Sequence, residues 1–256
     1  MNPMTAPETL LRSNLDTIRA RITAACHAAG RDPSGVRLLP VSKTVDEARL
    51  RQAYAMGLRE LGENRVQEAQ QKSEAMADLT DLRWVLIGHL QTNKVKHAVR
   101  FAHEFQAFYI VRVSTEIDTQ LQAAGRSLDV LVQVNTSNEA SKFGLAPDEA
   151  PAFVKQLPAF SSLRVRGLMT LALFSHDEAL VRPCFVRLRE LRDRLRQDAP
   201  DGIVMDELSM GMSGDFELAI AEGATTVRIG TAIFGQRPTP DSAYWPGFAQ
   251  DRNQGH

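Results

Sequence analysis

Cysteine is nearly absent: Cys26 and Cys184 are the only two in 256 residues. Two cysteines make no disulfide framework, so a reducing compartment, the cytoplasm, is expected. Long hydrophobic runs are missing, and none approaches the roughly 20 residues of a membrane span. The opening residues Met1-Asn2-Pro3-Met4-Thr5-Ala6-Pro7-Glu8 lack the basic stretch and apolar stretch of a signal peptide. Net charge is small, with 30 Lys and Arg against 31 Asp and Glu, which argues against nucleic-acid binding through bulk charge. No Gly-x-Gly-x-x-Gly turn, Walker A loop or Gly-x-Ser-x-Gly elbow occurs. The six histidines are scattered, with no pair at a helical metal-ligand spacing, so no metal site is expected.

What is present is an alternation. Leu10, Leu11, Leu15, Ile18, Ile22 and Ala25 recur at helical spacing between the capping-box residues Thr5 to Glu8 and Gly30, which predicts a long first helix. Short apolar runs follow at 36–41, 60–62, 84–87, 107–113, 128–134, 165–171, 205–210 and 225–229. The stretches between them read mostly as amphipathic helices. In 182–197 Phe185, Leu188, Leu191 and Leu195 share a face, and Arg187, Arg189, Arg192, Arg194 and Arg196 read as its solvated side. Eight near-continuous apolar strands alternating with helices point to a parallel sheet buried on both faces. Eight units in this length predict a single (β/α)8 barrel over 1–235, with an extra N-terminal helix. An open doubly wound sheet is the competing arrangement, weakened by the missing glycine-rich turn. Residues 236–256, with Pro238, Pro240 and Pro246, read as an extended or disordered tail.

Barrel chemistry gathers at the C-terminal strand ends. The first run ends at Ser42-Lys43, ahead of a second capping box, Thr44 to Glu47, which opens a helix closing near Gly57. A lysine there loses its proton more easily through desolvation, and a neutral amine forms Schiff bases with aldehydes. The seventh run leads into Gly211-Met212-Ser213-Gly214-Asp215 and the eighth into Gly230-Thr231. Loops after strands seven and eight of barrels often hold a phosphate, here with Ser213 and Thr231 hydroxyls and close approach at Gly214 and Gly230. Strands one and eight are neighbours in a closed barrel, so a ligand with an aldehyde and a phosphate, pyridoxal 5′-phosphate, would bridge the two features. Arg228 would face its pyridine nitrogen and disfavour ring protonation. A cofactor-free Schiff-base aldolase acting on sugar phosphates uses the same logic. His89 follows the third run and reads as a polar strand-end residue.

Several segments resemble the pyridoxal phosphate homeostasis proteins, whose fold is the alanine racemase N-terminal barrel. They are Leu39-Pro-Val-Ser-Lys43-Thr, Leu61-Gly-Glu-Asn-Arg-Val-Gln-Glu68, Ile87-Gly-His-Leu-Gln-Thr-Asn-Lys94, Gln133-Val-Asn135 with Lys142-Phe-Gly144, Leu208-Ser-Met-Gly-Met-Ser213 and Val227-Arg-Ile-Gly-Thr-Ala-Ile-Phe-Gly235. The resemblance implies a cofactor held as an aldimine of Lys43. It implies Ser213, Gly230 and Thr231 at the phosphate, Arg228 near the pyridine nitrogen and Asn64 close by. It further implies a role in the free cofactor pool without robust catalysis, with cofactor-dependent apo-enzymes as partners. One stretch departs from the pattern: fourth strands of the family commonly end like His-Ser-Val-Asp, whereas this run reads Ile110-Val-Arg-Val-Ser-Thr115. A weak single-base racemase is the alternative. Tyr54, Tyr109 and Tyr244 are the only tyrosines, and none is placed as a second base opposite Lys43. Near-zero charge and the lack of a wide exposed apolar stripe make a monomer the default expectation.

Overall fold

The alternation resolves into a barrel in a computed structural model, which describes residues 6–139 and 142–235. The order is α1 (Ala6–Ala28), β1 (Arg37–Pro40), α2 (Glu47–Ala55), β2 (Glu60–Glu63), α3 (Val66–Ala75), β3 (Arg83–Leu86), α4 (Val95–Phe101), β4 (Ala102–Phe108), α5 (Val111–Ala123), β5 (Leu128–Gln133), α6 (Ala150–Val154), β6 (Leu163–Met169), α7 (Glu178–Asp198), β7 (Glu207–Ser209), α8 (Phe216–Ala221), β8 (Thr226–Ile229) and α9 (Thr231–Phe234). The eight strands form one sheet in the order β1-β8-β7-β6-β5-β4-β3-β2, and every pairing is parallel. A parallel bridge between Val41 and Gly62 joins the two ends, with the Ser42 N–H donating to Gly62 O at 2.9 Å. All strand C-termini therefore open on one rim. No described helix is long and apolar enough to cross a membrane.

Outward-facing strand residues and the inner faces of the helices make the main apolar core. Leu11, Leu15, Ile18, Ile22 and Cys26 bury one stripe of α1, which lies against α8 and α9. Each fully buried Leu or Ile contributes about 1.5–3 kcal/mol. Leu10, expected on that stripe, is exposed. The helix ends where expected, with Gly30 at φ +66°. The Arg31 guanidinium then anchors the chain by donating to Ile220 O and Ala224 O.

The barrel interior is divided. Leu39, Val41, Val85 and Ile87 form a small apolar cluster of their own. On the other side the interior is polar: Arg37 donates twice to the Glu104 carboxylate at 2.8 Å, with Glu60 and Glu207 within 4.0 Å. These carboxylates hold the guanidinium proton far more tightly than usual, despite the opposing effect of burial.

This polar face explains the main departure from the sequence reading. The fourth strand is β4, not 107–113, and Ile110 to Thr115 is the entry to α5, not a strand end. Glu104 and Gln106 break the apolar run because they point to interior partners. The β-branched Val113 and Ile117 are buried at helical spacing with Leu121. The N-cap of α2 is Asp46, whose side chain accepts the Arg49 N–H at 2.9 Å, rather than Thr44. The arginines of α7 are not all solvated: Arg187 donates to Thr136 O, and Arg189 pairs with Glu222. The cap residue Thr5 and the tail at 236–256 lie outside the described residues.

Replacing Arg37 with alanine leaves a buried Glu104 carboxylate without its ion-pair partner, and is expected to lower folding stability by about 3 kcal/mol. A shift in urea midpoint at unchanged slope measures this; an unchanged midpoint would show that the ion pair contributes nothing net.

Candidate functional site

A cavity of about 330 Å³ opens at the C-terminal rim, a size within the range of small-ligand sites. All six residues singled out from sequence line it: Lys43, Asn64, Ser213, Arg228, Gly230 and Thr231. Val41 and Ile87 from the apolar interior form part of its wall.

Lys43 sits in a tight turn closed by the Val45 N–H donating to Ser42 O at 3.0 Å, and only 3% of its surface is exposed. The next residue, Thr44, holds φ +64°, a left-handed conformation costing a non-glycine residue roughly 1–2 kcal/mol. A clamp behind the turn offsets this cost. The Thr44 N–H donates to Glu68 Oε1 at 2.6 Å. Lys72 Nζ donates to Ser42 O, Glu63 and Glu68, each at 2.7 Å. The Ser42 hydroxyl donates to the same Glu63 oxygen at 2.7 Å. The peptides on either side of Lys43 are thus tied to α3. Burial pushes the Glu63 carboxyl up to about 7, against the lowering effect of the Lys72 ammonium.

Opposite, two turns make a second feature. Thr231 and Ser213 hydroxyl oxygens lie 3.3 Å apart, joining the loops after β7 and β8. Asp215 accepts the Met212 N–H at 2.6 Å, and burial raises its carboxyl above the usual range. Gly211, at φ +92°, has no room for a side chain, since a Cβ would lie 2.6 Å from that of Ala219. This contact seats the loop on α8. Among the described residues, no backbone carbonyl accepts the N–H of Ser213, Gly214, Gly230 or Thr231, and these residues line the cavity. N–H groups without a backbone carbonyl partner, together with hydroxyls, on residues that line one cavity suit an anion.

Arg228 lies between these features, 3% exposed. Its guanidinium donates to Ser209 Oγ and to Thr170 O, both at 2.7 Å. Burial lowers its proton affinity to about 10, opposed by Asp215, so it stays charged at neutral pH. Asn64 Oδ1 is buried in the wall with no hydrogen-bond partner, an acceptor suited to a ligand hydroxyl. Its place depends on Gly88, where a Cβ would fall 2.2 Å from Asn64 O.

The alanine racemase N-terminal domain family matches residues 13–238. A curated relative from Pseudomonas aeruginosa, named pyridoxal phosphate homeostasis protein, is 44% identical over 230 residues, covering 89% of this chain and 96% of its own. The chain belongs to the pyridoxal phosphate homeostasis protein family. A relative of that name from Aquifex aeolicus is 41% identical, covering 87% of this chain and 96% of its own. Among solved structures, PipY of Synechococcus elongatus with PLP bound superposes with a TM-score of 0.78 at 35% identity, over 88% of this chain and all of its own. The barrel expected for this family is the one observed.

Sequence reasoning missed the loop after β6, where Leu171, Leu173, Phe174, Ser175 and His176 line the wall and Phe174 and His176 are exposed at the mouth; Met212 and Asp215 lie in the loop it marked but were not singled out. The apolar run 165–171 stops at the edge of this loop, and nothing in its pattern marks the next residues as cavity wall. His89 does not line the cavity; its ring stacks on Phe143 at 4.7 Å and its Nδ1 meets the Tyr109 hydroxyl at 2.7 Å. Among the described residues, no group of His, Cys, Asp and Glu is arranged to hold a metal ion.

A carboxyl whose pKa is raised on folding stabilises the fold at acid pH. That contribution is lost as pH rises from the unfolded value of 4.5 through about 7. Glu63→Gln is therefore expected to gain stability relative to wild type between pH 5 and 8, by up to about 3 kcal/mol. Urea titrations at the two pH values test this, and parallel pH dependence in the two proteins would contradict it.

Proposed function

We propose that this chain binds pyridoxal 5′-phosphate in the rim cavity and serves its intracellular homeostasis. The observation that carries the reading is the convergence of a buried lysine and an anion cradle on one cavity, from the paired strands β1 and β8. The bound PLP of PipY, 35% identical, supports it. The donor set fits the group. Lys43 Nζ would bond covalently to the cofactor aldehyde as a Schiff base. The hydroxyls of Ser213 and Thr231 and the backbone N–H groups of Ser213, Gly214, Gly230 and Thr231 would hold the phosphate. Asn64 Oδ1 would accept from a ring hydroxyl. The cofactor supplies an electrophilic carbonyl and an electron sink; a charged Arg228 at the ring nitrogen would weaken that sink.

A carrier role fits this wall better than racemisation. No tyrosine lines the cavity among the described residues; Tyr54 bonds Asp81, Tyr109 bonds His89, and Tyr244 lies outside them. The chain would act as a monomer in the cytoplasm, loading cofactor and yielding it to apo-enzymes.

The test is a visible spectrum of the purified protein with added pyridoxal 5′-phosphate, then borohydride reduction and peptide mapping. A visible band and a reduced pyridoxyl group on Lys43 are expected. Lys43→Ala should lose the trapped adduct and retain weaker, phosphate-anchored binding. A wild-type protein that gains no band would overturn the reading, and an adduct that persists in Lys43→Ala would overturn the choice of lysine.

A further inference from the structure

The polar half of the barrel interior is connected end to end. The Arg228 guanidinium donates to Ser209 Oγ at 2.7 Å. The Ser209 hydroxyl donates to Gln106 Oε1 at 2.6 Å. Gln106 Nε2 donates to Glu104 Oε1 at 2.6 Å. Glu104 accepts two N–H groups of Arg37 near the opposite rim, at 2.8 Å. Ser209 and Gln106 are fully buried and Glu104 nearly so.

The direction of this chain is forced. A carboxylate only accepts, so the Gln106 amide must turn its NH₂ to Glu104 and its oxygen to Ser209. An amide oxygen only accepts, so the Ser209 hydroxyl hydrogen must point at Gln106. Ser209 is then left with lone pairs for Arg228. Without the amide, the hydroxyl hydrogen loses its acceptor and the orientation of Ser209 beside the guanidinium is no longer fixed. The Arg37–Glu104 pair thus dictates, two side chains away, that Ser209 donates to Gln106 and accepts from Arg228. With Thr170 O as the second acceptor, the guanidinium is held at two points in one plane.

We propose that Gln106 and Ser209 are positioning residues for Arg228, orienting its guanidinium toward the ring of bound pyridoxal 5′-phosphate through a one-way hydrogen-bond chain that ends on the Arg37–Glu104 ion pair. The inference rests on the cofactor reading above. It assigns a functional role to β4, whose polar interior residues have no place in an apolar strand pattern.

The test uses the full chain with pyridoxal 5′-phosphate as probe. Gln106→Leu and Ser209→Ala are each made in the native sequence and with Arg228→Met. Position of the visible band, cofactor affinity and the melting temperature of the unloaded protein are read for each. Leu188→Ala, in the outer core on α7, is the control for general destabilisation. In the native background both variants should shift the band and weaken uptake about ten-fold, the effect of losing one hydrogen bond to a charged group. With Arg228 replaced, neither should add to the change already present. Leu188→Ala should lower the melting temperature and leave the band in place. If Gln106→Leu fails to fold, Ser209→Ala carries the same comparison with a smaller deletion. An unmoved band and affinity in the native background would show that the chain is structural only. So would effects that persist undiminished beside Arg228→Met. A native protein that takes up no cofactor would instead overturn the parent reading, and this one with it.

Discussion

The pairing of β1 with β8 is the constraint on which the site depends. It sets Leu39 beside Arg228 and Pro40 beside Ile229, although about 190 residues separate them along the chain. Parallel strands place all their C-terminal ends on one rim, so the turn after β1 and the loops after β7 and β8 meet across one cavity. The bridge from Val41 to Gly62 closes the circle and brings Asn64 to the same wall. Neither a lysine turn nor a glycine-rich turn is a site alone; closure makes them one.

Each half of the site is held from behind. The Lys43 turn is fixed by Lys72, Glu63 and Glu68 on its outer side, which lets Thr44 keep a left-handed backbone. The loop after β7 is fixed by the contact of Gly211 with α8 and by the Asp215 side chain. Arg228 is held from within the barrel, by Ser209 and Thr170. Groups that must meet a ligand at set positions lose less entropy on binding when the protein has already ordered them.

The interior shows why a barrel can carry charge inside. Arg37 and Glu104 satisfy one another through two hydrogen bonds, and Gln106 and Ser209 use the remaining capacity. A buried polar network is tolerable when its members are satisfied. The unpartnered Asn64 Oδ1 lies in the cavity wall, where a ligand can satisfy it.

By itself the sequence determined the barrel, because eight apolar runs between amphipathic helices leave few other ways to bury both faces of the strands. It determined the candidate residues too, since Lys43, Ser213, Arg228, Gly230 and Thr231 fall at the ends of runs one, seven and eight, where a parallel barrel exposes side chains. Asn64 came from resemblance alone. Only the tertiary structure decided where β4 lies, because Glu104 and Gln106 are buried by partners on β1 and β7 that no local pattern reveals. It also decided the cap at Asp46, the clamp formed by Lys72, and the rim loop 171–176. Local periodicity reports which face of an element is apolar. It carries no information about polar groups whose burial is compensated by residues distant in the chain, and the chain behind Arg228 is built from such groups.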